Sequence, residues 1–478
     1  MCMSADILLI AINAGYTHTS MSLRCIQANL GELESRSHIL ECDSQLSSLQ
    51  IVEQIIAFAP KVVAFSTYIW NAMTVADVLR VLEAIRPDII RVAGGPQIIP
   101  GDDPSGILPL LNVAICGEAE EVVESVFGKL LAGEAVESVI VAEPPGLAHA
   151  ELPYRLYTDA DISTRMVYVE ATRGCPFKCE YCTSSESGGI RYFPIETLLK
   201  EFGILLDRGV HQFKFLDRSF NFGGVQSLAV LDFFLARQFK GLRLHFEFTP
   251  DALNEEWRRC LRGFEPEMLH IEMGVQTWNE AVAACIHRPL KPDAVEKSLR
   301  FMIDEAKADV HADLIVGLPG ESLESFKAGF DRLVALGPSE IQVGILKRLP
   351  GTAIGKHDET YAVKWSPVPP YEILQNNLLS FVQLRELERF SRCWDLLHNR
   401  NRFHTSARML RRDGASPFER VLKVASFVYG RVGRMHAISP KRLAEAVFEV
   451  LVNTSGVSEG EAKAALERDA RESAWDRS

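Results

Sequence analysis

Residues 174–183 read Gly174-Cys175-Pro176-Phe177-Lys178-Cys179-Glu180-Tyr181-Cys182-Thr183, so Cys175, Cys179 and Cys182 form a C-x3-C-x2-C triplet. That spacing lets one short loop wrap three thiolates around a single cubane face, and soft thiolates suit iron–sulfur clusters. A four-iron cluster normally takes four protein ligands. Three leave one iron open to a small molecule that chelates through nitrogen and oxygen. A structural zinc site asks for a second ligand pair at a recognisable spacing, and the other cysteines are scattered singly. Ten cysteines in 478 residues fall short of disulfide density, and no basic-then-apolar leader opens the chain.

The triplet follows directly on an apolar strand candidate, Met166–Ala171, and a βα rhythm continues beyond it. Further strands are expected at Gln212–Leu216, Arg243–Phe248, Leu269–Gly274, Val310–Ile315 and Ile341–Leu346, with helical spacing at Ile195–Leu206 and Pro292–Ala306. Six such units imply an incomplete barrel, in which chemistry collects at the carboxyl ends of strands. Those ends carry Leu216-Asp217-Arg218, Glu247 before Thr249-Pro250-Asp251, Gly274-Val275-Gln276-Thr277 and Ile315-Val316-Gly317-Leu318-Pro319-Gly320-Glu321. Asp217 beside Arg218 reads equally as a structural ion pair. His245 and His270, set within apolar strands, read as satisfied core histidines.

Upstream, strands are expected at Asp6–Ile12, Ser37–Glu41, Val62–Tyr68, Ile89–Ala93 and Val113–Cys116. Amphipathic stretches at Ser48–Phe58, Thr74–Ile85 and Glu120–Leu131 separate them, which is the pattern of a doubly wound parallel sheet. Its strand ends carry Ser66-Thr67, Gly94-Gly95-Pro96 and Gly117-Glu118, while the dinucleotide fingerprint G-x-G-x-x-G is absent. Residues 143–165, punctuated by Glu143-Pro144-Pro145-Gly146 and Leu152-Pro153, are expected as a linker.

The triplet, with an aromatic at Tyr181 before its last cysteine, resembles that of the radical S-adenosylmethionine (SAM) enzymes. The segments Val92-Ala93-Gly94-Gly95-Pro96 and Cys116-Gly117-Glu118-Ala119-Glu120-Glu121 resemble the amino-terminal domain of the cobalamin-dependent members. The resemblance covers residues 6–355. It implies an α/β chain: a Rossmann-like cobalamin-binding sheet over 1–142, the linker, a partial (β/α)6 radical SAM barrel over 166–358, and a mainly helical domain over 359–478. It implies a [4Fe–4S] cluster on Cys175, Cys179 and Cys182, with SAM on the open iron. Tyr181 and Ile315 would pack near adenine, and Glu247 and Gln276 would bond the SAM amino acid or ribose. Ser66, Thr67, Gly94, Gly95, Gly117 and Glu118 would lie near the corrin or its nucleotide tail. The cobalt-ligating D-x-H-x-x-G of cobalamin mutases is replaced here by Asn13-Ala14-Gly15-Tyr16-Thr17-His18, so ligation by histidine is not expected, with His18 an outside candidate.

The resemblance further implies reductive cleavage of SAM, an external reductant such as flavodoxin or ferredoxin, and C-methylation of a small metabolite or natural-product intermediate. A radical rearrangement, ring contraction or cyclisation without methyl transfer keeps the same cofactors. Methylthiotransferases place three further cysteines in the first domain, where this chain offers Cys2, Cys25, Cys42 and Cys116 without motif context. A cofactor sensor is the non-enzymatic alternative, and the intact triplet with all six units of a SAM-type barrel argues against it. Composition fits a cytoplasmic, reduced protein. Charged residues make up 24%, acidic residues outnumber basic ones 63 to 51, and no apolar run approaches a membrane span. The balance of −12 argues against a nucleic-acid partner. Beyond residue 360 helical spacing is expected over Glu372–Arg389, with Phe390, Trp394, Phe403 and Phe418 as core. Arg392, Arg400, Arg402, Arg408, Arg411 and Arg412 read as a solvated basic face or a contact for an anion, and Glu467–Ser478 as a frayed tail.

Overall fold

The computed structural model describes residues 5–186 and 188–473, which pack as two compact units. The first comprises the chain up to Glu247 with Lys347–Ala353 and Ser366–Glu372, and the second comprises the rest. Cys2 and residues 474–478 lie outside the described residues.

In the first unit, β1 (Ile7–Asn13), β2 (Ser37–Asp43), β3 (Val62–Ser66), β4 (Ile90–Gly94), β5 (Val113–Cys116) and β6 (Val139–Val141) form a parallel sheet ordered β2-β1-β3-β4-β5-β6. β1 is buried along its whole length, as an unbroken apolar run demands of a strand covered on both faces. Alternation divides the core. Leu8, Ile10 and Ile12 pack with Val75 and Leu79, while Ile7, Leu9 and Ala11 pack with Val126 and Phe127. The chain reverses its direction of winding between β1 and β3, and doubly wound sheets open their ligand crevice at such a point. The five strands expected here are all present. The sixth was missed because Val139 and Val141 sit on an exposed edge and give no buried pattern.

Residues 143–165, expected as a linker, carry helix Asp159–Thr164 and bury Tyr154 and Tyr157 almost completely. Two arginines, Arg24 buried and Arg165 half-buried, fasten this segment. Arg24 pairs with Glu41 at 3.1 Å and Asp161 at 3.0 Å, and Arg165 pairs with the same two carboxylates. The unit continues through β7 (Val167–Val169) and an antiparallel pair, β8 (Thr172–Arg173) with β9 (Arg191–Tyr192). β10 (Gln212–Phe215) then pairs in parallel with β7 and with β11 (Arg243–Phe248).

In the second unit, β12 (Leu269–Gln276), β13 (Asp309–Val316) and β14 (Glu340–Ile345) are parallel. β12 and β13 alternate strictly between a buried apolar face and a half-buried face that is polar except at Gly274 and Ile315. All six βα strands read from the sequence are therefore present. Among the carboxy-terminal helices, Phe330 meets Phe390 at 4.9 Å and Trp394 at 4.8 Å, and Phe390 meets Phe418 at 4.4 Å, as expected of a core. The helix expected from Glu372 begins only at Phe381. Ile373–Gln375 pairs antiparallel with Lys364–Trp365, and a capping box of Ser380 and Gln383 starts the helix. Among the described residues no helix is long and apolar enough to cross a membrane.

Burial raises the pKa of Glu41, but the hydrogen bonds and charge of Arg24 outweigh it, so the group titrates below its ordinary 4.5. Asp161 is likewise raised by burial and lowered more by Thr158 and Arg24. A carboxylate held low stabilises the fold above its unfolded pKa, and that contribution is lost as pH falls through the folded value. Glu41→Gln removes one of two acceptors shared by two guanidinium groups. It should cost about 3–5 kcal/mol in urea unfolding at pH 7 and flatten the acid limb of the stability profile. An unchanged urea midpoint would refute this account of the segment.

Candidate active site

The triplet loop leaves β8 through Gly174, whose φ of +96° is a conformation that favours glycine. Within the loop Cys182 N–H donates to the Cys179 carbonyl at 3.1 Å, and Lys178 Nζ reaches the Ser185 carbonyl at 2.5 Å. Cys179 is buried, while Cys175 and Cys182 are half-buried. Ser184 N–H donates to Cys182 Sγ at 3.4 Å, and Ser219 Oγ to Cys175 Sγ at 3.6 Å. Hydrogen bonds of this kind tune iron–sulfur centres by drawing charge from the ligating sulfur. Three thiols on one tight loop, two with donors already in place, are the donor set that an iron–sulfur cluster takes, although among the described residues their side chains are not gathered as a metal-binding group. Tyr181 is half-buried on the same loop.

Two buried side chains set the entry to this loop. Asp217 accepts from Ala171 N–H at 3.0 Å, Thr172 N–H at 2.7 Å and Thr172 Oγ1 at 2.6 Å. Burial nevertheless dominates and pushes this carboxyl up to about 7. Asp217 thus braces the backbone before the triplet, whereas Arg218 lies 3.5 Å from Glu247. Arg173, two residues before Cys175, places its guanidinium 2.6 Å from Glu170, 2.9 Å from Glu118 and 2.6 Å from Glu120. Arg191 also pairs with Glu118. Burial raises Glu170 above its ordinary range, with Arg173 only partly opposing it, and raises the neighbouring Cys25 thiol well up. The resemblance assigned Glu118 to the corrin. Its carboxylate is engaged by the two arginines, and none of Glu120, Glu170, Arg173 or Arg191 was read from the sequence. The chain separation of these residues hid the cluster.

At the sheet edge, Thr67 N–H donates to the Gly94 carbonyl at 2.8 Å, and Gln97 N–H to the Thr67 carbonyl at 3.3 Å. Gly95 is forced by this packing: its φ is +104°, and a Cβ there would lie 2.7 Å from the Thr67 carbonyl oxygen. Gly117 is tight against the Ala142 carbonyl in the same way. Ser66 and Thr67 are buried, and Thr67 Oγ1 and Gln97 Oε1 are buried without a hydrogen-bond partner. Buried polar atoms left open cost free energy unless a ligand serves them, so this edge fits a ligand with polar substituents. Tyr68 and Trp70 stack 4.4 Å apart beside it. His18 Nδ1 lies 2.6 Å from Tyr168 Oη, and burial holds its pKa below the ordinary value.

Glu247 lies in the first unit, and Gln276 and Ile315 lie in the second, at or near their strand ends. Gln276 adopts a φ of +67° at a bulge against β13, and strain of this kind in a non-glycine residue clusters at functional sites. Arg288 Nη2 donates to the Gly274 carbonyl beside it at 2.5 Å. Glu321 accepts from Thr277 Oγ1 at 2.7 Å, and burial pushes it up to about 7.

Comparison with known proteins matches residues 7–127 to the B12 binding domain, 169–333 to the radical SAM superfamily and 359–469 to a protein family of unknown function, DUF4080. The chain is 25% identical to the 2-(S-pantetheinyl)-carbapenam-3-carboxylate methyltransferase of Streptantibioticus cattleyicolor, over 61% of this chain and 48% of that one. It is 28% identical to the ribosomal protein uS12 methylthiotransferase RimO of a Synechococcus strain, over 45% and 46%. It thus spans about half the length of these curated relatives. The cobalamin-dependent SAM radical enzyme OxsB, solved with aqua-cobalamin and SAM, shares the fold with a TM-score of 0.65 and 12% identity over 98% of this chain and 83% of its own. A B12 binding domain and, after it, a radical SAM domain are thus both present in the chain.

Removing the Arg173 charge leaves three carboxylates facing one another. Arg173→Gln should cost about 3–5 kcal/mol and lower the iron retained after anaerobic reconstitution, with Arg173→Lys recovering only part. Iron retention equal to wild type in Arg173→Gln would refute a role for this residue in seating the loop.

Proposed function

We propose that the chain is a cobalamin-dependent radical SAM C-methyltransferase acting on a small metabolite or natural-product intermediate. The observation that carries this reading is the Arg173 cluster, which joins the loop after β5 to the triplet loop within one unit. Bound together, the two cofactors supply a methyl carrier and, through one-electron cleavage of SAM, a 5′-deoxyadenosyl radical. Cys175, Cys179 and Cys182 hold the cluster, with Ser184 and Ser219 drawing charge from its sulfurs. Thr67 and Gln97 offer their open oxygens to polar substituents of the corrin or its tail. In the first unit, Glu247 binds the amino acid or ribose of SAM and Tyr181 packs near its adenine. The named methyltransferase among the relatives supports the reaction class.

The methylthiotransferase reading is disfavoured by topology. Cys42 on β2 and Cys116 on β5 are four strand spacings apart, roughly 19 Å, and Cys25 lies against Arg173. These three thiols do not share one cluster.

Anaerobic reconstitution with iron, sulfide and hydroxocobalamin tests the proposal. Near-stoichiometric retention of both cofactors is expected, and SAM turnover with an acceptor should yield S-adenosylhomocysteine beside 5′-deoxyadenosine. Thr67→Val with Gln97→Leu should weaken cobalamin retention about fivefold or more, from one or two lost hydrogen bonds, without changing iron content. A cluster that forms without retained cobalamin would replace methyl transfer by a cobalamin-free radical reaction.

A further inference from the structure

The second unit holds another group of redox-capable side chains. Helix Glu280–Cys285 follows β12 and ends at Cys285, whose half-buried sulfur lies 3.5 Å from Tyr361 Oη and 3.9 Å from His357 Nδ1. His357 is itself buried. Tyr361 packs on the loop after β13: a Cβ on Gly320, where φ is +83°, would lie 3.4 Å from the phenol oxygen. Cys285 is three residues from Arg288, which is anchored on the Gly274 carbonyl of β12. The thiol and phenol therefore sit together beside the carboxyl ends of β12 and β13, the ends that carry Gln276 and Ile315. One cysteine and one histidine fall short of a metal's ligand set. Cys285 forms no disulfide.

A thiol gives up its hydrogen atom to a carbon radical readily, and a sulfur radical in contact with a phenol passes the radical on. We propose that Cys285 and Tyr361 form a hydrogen-atom relay that closes a carbon-centred radical at these strand ends, with His357 positioning the thiol. The inference rests on the radical SAM assignment. The Cys285 S–H bond breaks homolytically as a C–H bond forms on the radical carbon, leaving a sulfur radical. That sulfur takes the hydrogen atom of the Tyr361 O–H, which restores the thiol and leaves a phenoxyl radical. One electron from the low-potential donor that drives the enzyme, with one proton from solvent, returns the phenol. The relay gives a carbon radical a second fate, hydrogen return, beside capture of a methyl group.

The test uses reconstituted full-length protein exchanged into deuterium oxide and supplied with SAM and dithionite but no substrate. Mass spectrometry of the 5′-deoxyadenosine should show solvent deuterium in the wild-type product, and Cys285→Ser and Cys285→Ala should each cut the deuterated fraction severalfold. An equal fraction in wild type and Cys285→Ser overturns the relay while leaving the radical assignment intact. Absence of 5′-deoxyadenosine altogether overturns that assignment and the relay with it. A second readout needs no cofactor: one-electron photo-oxidation of the full chain with a nitrone spin trap, followed by peptide mapping. The adduct should fall on Tyr361 in wild type and on Cys285 in Tyr361→Phe, and adducts on neither residue overturn the exchange.

Discussion

Arg173 places one guanidinium among the carboxylates of Glu118, Glu120 and Glu170, two residues before the first cysteine of the triplet. Such a group is expensive to desolvate, and it is tolerated only where its hydrogen bonds are filled in good geometry. Here Arg173 also contacts the Cys25 sulfur at 3.6 Å and lies over the Phe193 ring. The carboxylates come from two parts of the chain, the loop after β5 and the end of β7. A rigid guanidinium bonded to both fixes where the triplet loop starts relative to the edge of the first sheet. Lysine, with one point charge, lacks the fork to do this.

Asp217 performs the matching task on the backbone. Its carboxyl collects two amide groups and a hydroxyl at the turn from β7 into β8, so the loop is held from one side by charge and from the other by hydrogen bonds. The same logic recurs at β12 and β13, where Glu321 gathers Thr277 and Ser325 behind the bulge at Gln276. In each place the end of a strand is braced by a buried acid that follows a neighbouring strand. Strained backbone persists only where its surroundings over-determine it.

Strand periodicity made most of the fold legible: β1 through β5 and the six βα strands follow from apolar runs and their spacing. The cysteine triplet was legible because its ligands are local. What stayed hidden depends on long separations or on edges. β6 is exposed, so its alternation has no buried face to mark it. Arg173 and Glu118 are far apart in the chain, and no periodicity joins them. Tyr361 falls just past the expected boundary between barrel and helical domain, and Cys285 is one of the singly scattered cysteines. Glycines stand at 95 and 117 because backbone there approaches backbone, the Thr67 and Ala142 carbonyls respectively.

The buried acids also give the chain two pH responses of opposite sense. Glu41 and Asp161, held low by arginines, add stability that is complete above their unfolded pKa values and lost only in acid. Asp217 and Glu321 are raised to about 7 by burial, so the folded state binds their protons more tightly than the unfolded chain does. Their contribution is largest below the ordinary carboxylate range and declines as pH rises toward 7. Near neutrality both groups therefore exchange between acid and carboxylate. A neutral carboxyl next to Thr172 or Thr277 can donate as well as accept, and it leaves no uncompensated charge beside the strand ends. Burial that looks costly for an ionised acid is thus the condition that keeps these two ends both rigid and electrically quiet.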